Sequence, residues 1–211
     1  MIYALTYQNL GTLTKTRTSL QQLEPQMEAG EIVTRLLAGR VISPLQAQPP
    51  SSPGFYAWWC RSDRLKDADL QIPLEERPPV QSGWSLLYVG ISPNNPNSRR
   101  NIAVRLAKDH TGGSIGSSTF RQSVAALLME RLTLQPLKGG DRSRLVSEEP
   151  LSRWIEASCG VTFALAERPW KTEADVIRFL NPPLNISKGT HPFRQDVRDR
   201  RTMLRQACGV A

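Results

Sequence analysis

Acidic residues, cysteine, histidine and long apolar runs are all scarce in this chain of 211 residues. No stretch approaches the roughly 20 consecutive apolar residues needed to span a bilayer. Met1 to Tyr7 lacks the basic lead and extended apolar segment of a secretory signal. Three cysteines (Cys60, Cys159 and Cys208) make neither an even disulfide framework nor a metal-binding spacing. Only His110 and His191 stand beside them, so no recognisable zinc quartet forms. A serine-hydrolase elbow and a phosphate loop with its lysine are also missing. These gaps predict a protein of the reducing cytoplasm with no membrane partner and no zinc.

Positive charge is in surplus. Lysine and arginine number 27 against 19 acidic residues, for a net charge of +8 and a pI near 9.9. Such a balance favours an anionic partner, with nucleic acid first. The length suffices for one core, so the expected organisation is a single domain with elaborated ends.

Residues 1–23 are polar and rich in Thr and Gln. Pro25 to Ala38 reads as a helix with Ile32, Val33, Leu36 and Leu37 in a stripe and Gly39 as its stop. Proline and serine over 49–53 break the chain before an aromatic strand, Phe55 to Trp59. The charged, proline-bearing stretch 61–83 reads as a long loop leading to a second strand, Trp84 to Val89, ended by Gly90. Asn101 to Asp109 is a predicted helix, broken by Thr111-Gly112-Gly113-Ser114. Ser117 or Ser118 caps the next one, whose inward stripe is Phe120, Val124, Leu127, Leu128 and Leu132. Val161 to Leu165 is the third strand, and Glu173 to Leu180 a helix halted by Asn181-Pro182-Pro183. A last helix from Pro192 packs with Phe193, Val197 and Leu204, while Arg194, Arg198, Arg201 and Arg205 line up beside that stripe.

Several residues in this order carry chemistry. Tyr56 and Tyr88, entering one site from two strands, are able to position a water or take its proton, provided positive charge lowers their ordinary pKa of about 10. Both also read as plain sheet residues. Arg105 borders the packed face of its helix, where a guanidinium either forks onto a phosphate or snorkels over the core. Glu173 suits a hard divalent cation or simple stabilisation of a helix start. Asn185, beyond Pro182-Pro183, supports a substrate or metal site or closes a turn. Arg99, Arg100 and Lys108 read as phosphate contacts or solvated charge. Arg121 stands one turn inside a helix whose start suits a DNA phosphate.

At this point a family resemblance emerges. Gly54-Phe55-Tyr56 resembles the first motif of the GIY-YIG nuclease superfamily and Tyr88-Val89-Gly90 its second, each with one conservative hydrophobic change. Arg105 falls where the family's helix arginine belongs. Glu173 resembles its metal-binding glutamate, and Asn185, in Pro182-Pro183-Leu184-Asn185, its late asparagine. The similarity covers roughly residues 53–187. It implies an α+β fold in which a small three-stranded antiparallel sheet is flanked by helices, with helical additions at both termini. Residues 1–50 would form an N-terminal extension with one helix, 51–190 the nuclease-like domain, and 191–211 a basic helix packed on it. The implied activity is hydrolysis of DNA by water attack on a phosphodiester; DNA is the leading partner, and RNA stays open as one. In it Tyr56 is the preferred base and Tyr88 orients water or phosphate. Arg105 stabilises charge, Glu173 binds Mg²⁺ or Mn²⁺, and Asn185 supports the site.

One position departs from the pattern. Many members carry a histidine or tyrosine four residues after the arginine. Here Asp109 stands there, and His110 comes one residue later. One residue turns an α-helical side chain by about 100°, so His110 misses the expected face unless the helix has ended. Two other readings stay open: a nuclease-like module that binds nucleic acid without cutting it, and a domain whose arginine-bearing last helix binds an acidic protein.

Overall fold

The structure is a computed structural model, and it describes residues 28–67, 72 and 83–210. The polar segment 1–23 and most of the stretch 61–83 lie outside the described residues. Strand β1 (Gly54–Arg61) runs between β2 (Trp84–Ser92) and β5 (Cys159–Leu165), antiparallel to both. As the central strand it is buried on both faces from Gly54 to Cys60, which explains its unbroken apolar and aromatic reading.

Helices cover both faces of this sheet. On one face Phe55, Ala57 and Trp59 pack against Ala29, Ile32 and Leu36 of helix α1 (28–38) and Val176, Ile177 and Leu180 of α6 (Pro169–Leu180). On the other, Tyr56, Trp58 and Cys60 meet four further elements. These are α3 (Ile102–Arg105), α4 (Thr119–Leu128), α5 (Glu149–Ser158) and α7 (Arg194–Ala207), through Ile102, Phe120, Val124, Leu151, Ile155, Val197 and Leu204. This is the small antiparallel sheet flanked by helices, with helical additions at either end.

Several local expectations need correction. The stretch after β1 is not all loop, because Ser62–Asp67 forms a short helix, α2. The second strand does not stop at Gly90 but runs on to Ser92. Helix α5 and a two-strand pairing of β3 (Pro136–Leu137) with β4 (Arg144–Leu145) were not anticipated from the sequence. Helix α6 begins at Pro169, so Glu173 sits one turn inside it and not at its start.

Two features set up the site. The pairing of β1 with β2 slips between Trp58 and Trp59, leaving Leu87 as an extra residue in β2; such bulges re-aim neighbouring side chains. Beyond it Tyr56 faces Gly90 across the strands. Helix α3 continues into a π-helical turn, Leu106–Thr111, where the Gly112 N–H donates to the Ala107 carbonyl five residues back at 3.0 Å. A Cβ on Gly113 would lie 2.4 Å from the Asp109 carbonyl oxygen, so a side chain there would prevent the turn from closing.

Candidate active site

The π turn decides where His110 goes. An inserted residue shifts every later side chain around the helix, and the wider turn absorbs that shift. His110 is fully buried, with Nε2 2.8 Å from the Tyr56 hydroxyl and Nδ1 2.8 Å from Ser118 Oγ. On a continuous α-helix it would have missed this face; the π turn delivers it. Ser118 also caps α4, accepting from the Arg121 N–H at 3.1 Å. Burial, reinforced by the charges of Arg105 and Arg121, holds the imidazole well below its ordinary pKa, so it is neutral near pH 7.

Tyr56 lies flat over Gly90. A Cβ on Gly90 would stand 2.3 Å from the phenol oxygen and 2.4 Å from Cζ. The glycine is thus required by the tyrosine from the next strand and not by a turn. Arg105 Nε donates to the Tyr56 oxygen at 3.4 Å. Burial pushes the Tyr56 pKa above its usual value, with Tyr88 adding to the rise, and Arg105 only partly offsets it. Tyr88 is shifted upward by burial in the same way; its surroundings include Arg105, Glu173 and Arg201. Its ring centroid lies 6.5 Å from that of His110.

Asp109 takes a role of its own. Its Oδ2 accepts from both Arg100 and Arg105, each at 2.6 Å, and its carboxylate is only 8% exposed. The residue that displaced histidine from the expected position therefore holds the site's arginine. No sequence signal other than the four-residue spacing pointed to that pairing.

Glu173 is half-buried and paired through Oε2 with Lys188, a residue that went unnoticed in the sequence. Among the described residues no group of three or more His, Cys, Asp or Glu side chains is placed to hold a metal ion. The available donor set is one carboxylate. That fits a hard cation such as Mg²⁺, which keeps most of its waters and takes few protein ligands, and it does not fit a zinc cage.

Two expected contributors are placed differently. Asn185 does not enter the site. Its Oδ1 accepts from the Val89 N–H at 2.9 Å and its Nδ2 donates to the Val89 carbonyl at 2.8 Å. It extends the sheet at the edge of β2, behind Tyr88, and its amide is consumed there. Arg121 is not a surface contact for nucleic acid, because it is fully buried. It pairs with Glu148 at 2.8 Å and donates to the carbonyls of His110 at 3.0 Å and Thr111 at 3.4 Å. A buried guanidinium needs such partners, and here it ties the end of the π turn to α5.

Of the other cations, Arg100 pairs with Asp109, and none makes a hydrogen bond to the Tyr56 or His110 side chain among the described residues. Arg99, Arg100, Lys108, Arg194, Arg198 and Arg205 are exposed, and Arg201 is half-buried. Arg194 donates to the Gly189 carbonyl and Arg198 to Gln195, which fixes their direction without removing their charge. Arg201 donates to Gln122 Oε1 at 2.9 Å through Nε. With Arg205 it lines a groove that also includes Ser117, Gln122 and Arg142. The groove brings in Arg142, which the helix stripe gave no reason to include.

The structure thus holds a tyrosine between an imidazole and a guanidinium on a three-stranded antiparallel sheet. The family model described as the GIY-YIG catalytic domain matches residues 54–207, and the chain belongs to that family. No curated protein and no solved structure matches the chain significantly.

Proposed function

We propose that the protein is a divalent-metal-dependent endonuclease that hydrolyses DNA phosphodiester bonds by direct attack of water. The observation that carries this reading is the Tyr56 hydroxyl, held at 2.8 Å by His110 and at 3.4 Å by Arg105. Neither Tyr56 nor His110 is an effective base alone, since burial keeps the phenol protonated near neutral pH and lowers the basicity of the imidazole. Linked, they accept a proton in two moves: water gives its proton to the Tyr56 oxygen as the phenol proton passes to His110 Nε2. That step requires the tautomer in which Nδ1–H donates to Ser118 Oγ. A phosphate brought to Arg105 adds negative charge close to the imidazole and so raises its basicity.

Arg105, fixed by Asp109, presents its remaining N–H groups to the charge that develops on the phosphate. Glu173 would hold a hard divalent cation, which when bound would offset the negative charge of the phosphate. Tyr88 orients water or phosphate, and Asn185 holds the strand that carries it. Arg99, Arg100 and Lys108, together with Arg194, Arg198, Arg201 and Arg205, supply backbone attraction for nucleic acid.

A second reading is favoured by the two internal ion pairs. Lys188 on Glu173 and Asp109 on Arg105 already satisfy the two charges most needed for cutting, as expected of a module that binds nucleic acid and leaves it intact. Plasmid incubated with Mg²⁺ or Mn²⁺ and the wild-type, Tyr56→Phe or Glu173→Gln protein separates the two. Cleavage by wild type that falls about 100-fold or more in each variant supports the nuclease. Equal cleavage by all three would defeat it, and salt-sensitive binding without cleavage would favour the module.

A further inference from the structure

Beside Arg105 the end of β2 and the turn after it enclose a recess of about 90 Å³. It is lined by Ile91, Ser92, Pro93, Asn94, Ser98, Arg100 and Arg105. Every polar side chain in that lining is a hydrogen-bond donor, and no carboxylate is among them. Asp109 ties the two guanidiniums together without lining the recess. Two arginines against one carboxylate leave a net positive charge at its wall.

One donor is without a partner. Ser92 is 1% exposed, and its Oγ has no hydrogen-bond partner among the described residues. A hydroxyl buried in that state leaves its desolvation uncompensated, and water or a ligand relieves that cost. Ser92 follows Gly90 by two residues and Tyr88 by four along β2, so all three share the face on which Tyr56 and Arg105 meet. The recess is far below the roughly 300 Å³ at which pockets for small organic ligands begin. It has room for one tetrahedral anion and not for a nucleoside.

We propose that this recess is a second phosphate subsite, which takes a backbone phosphate of the bound strand adjacent to the one that Arg105 faces. The assignment rests on the nucleic-acid reading above and adds to it a fixed point on the strand. Arg100 supplies a charge-assisted contact, and Ser92 supplies the buried hydroxyl. Asn94 adds its amide, since Asn94 Oδ1 accepts from Asn95 and leaves Nδ2 to donate. Anchoring two consecutive phosphates would set the direction in which the strand crosses Tyr56, which a single arginine cannot do.

Inorganic phosphate is the first probe, followed by backbone-amide NMR on the full chain, with Ser92→Ala and Arg100→Gln as variants. Ser92 Oγ makes no hydrogen bond among the described residues, so Ser92→Ala removes none of their hydrogen bonds and is expected to leave the fold intact. Saturable perturbations confined to the segment 91–105 are expected in wild type. Affinity should fall about fivefold in Ser92→Ala and about tenfold or more in Arg100→Gln. Mixed-sequence duplex DNA is then added, and it should displace the phosphate. Perturbations spread over all basic surfaces, or unchanged in both variants, would overturn the subsite. Failure of DNA to displace bound phosphate would overturn its assignment to the strand and leave a site for free anion. Cleavage plays no part in this readout. Phosphate binding here by a chain that never cuts DNA sinks the nuclease reading and keeps the subsite; cleavage without a response at Ser92 does the reverse.

Discussion

Replacing Asn185 tests whether it clamps the sheet or touches substrate. Val89 is fully buried, and both its backbone N–H and its carbonyl are met by the Asn185 amide, at 2.9 and 2.8 Å. β2 lies at the edge of the sheet, so no other strand is present to take over these bonds. Asn185→Ala leaves two buried backbone groups unsatisfied, each worth about 1–3 kcal/mol. The neighbouring Leu184 N–H still reaches the Leu87 carbonyl at 3.0 Å and keeps the segment in place. The expected loss is therefore in the lower half of that combined range, about 2–4 kcal/mol, out of a typical domain stability of about 5–15 kcal/mol.

Asn185→Asp sharpens the test. A carboxylate accepts from the Val89 N–H but faces the Val89 carbonyl with no proton to donate, whereas the protonated acid reproduces both bonds of the amide. The folded state therefore binds the proton more tightly, and the introduced acid titrates above its unfolded value of about 3.9. The stability tied to the protonated form is fully present below that unfolded value and is lost as pH rises through the folded one. Urea denaturation of both variants across about pH 4–8 measures it. The stability of Asn185→Asp minus that of Asn185→Ala should rise as pH falls. A difference flat with pH, or an Asn185→Ala protein within about 0.5 kcal/mol of wild type, would refute the clamp.

Gly90→Ala brings a methyl group to 2.3 Å from the Tyr56 oxygen. The phenol must move by about 1 Å, which costs about 1–3 kcal/mol as overpacking and about 100-fold in cleavage if Tyr56 handles the proton. In a Tyr56→Phe background the same change should cost stability but no further rate; an additive rate loss would count against the hydroxyl. His110 gives a pH signature. Its folded pKa is depressed, so its stabilising effect is present above the unfolded value of about 6.5 and is lost as pH falls below it, with a slope of about 1.4 kcal/mol per pH unit. His110→Gln should remove that component, read as the wild-type minus variant stability between about pH 5 and 7; parallel curves would refute a buried neutral imidazole.

The elements that were legible in the sequence are those in which local pattern and burial agree. Phe55 to Trp59 reads as a strand because aromatic residues crowd it, and the structure buries it on both faces. Phe120, Val124 and Leu128 read as one helical face because their spacing follows the helix period. Helix α5 was harder to see: its buried residues are Leu151, Ile155 and Ser158, too sparse a stripe to stand out beside Glu148, Glu149, Arg153 and Glu156. The strand pair at 136–145 is two residues deep and has no period to detect.

The sequence by itself determined which residues stand in order for the chemistry: Tyr56, Tyr88, Arg105 and Glu173, on a chain with a net charge of +8. Order along the chain is covalent and needs no fold to be read. Tertiary structure alone decided what each group faces. A π turn, stabilised by bonds five residues apart and by Arg121 from another helix, brings His110 to Tyr56 although its position in the chain is one residue too late. The sheet edge takes Asn185 out of the site. Partners of this kind are chosen by distance and burial between residues far apart in the chain, such as the 54 positions between Tyr56 and His110, and no local spacing encodes them.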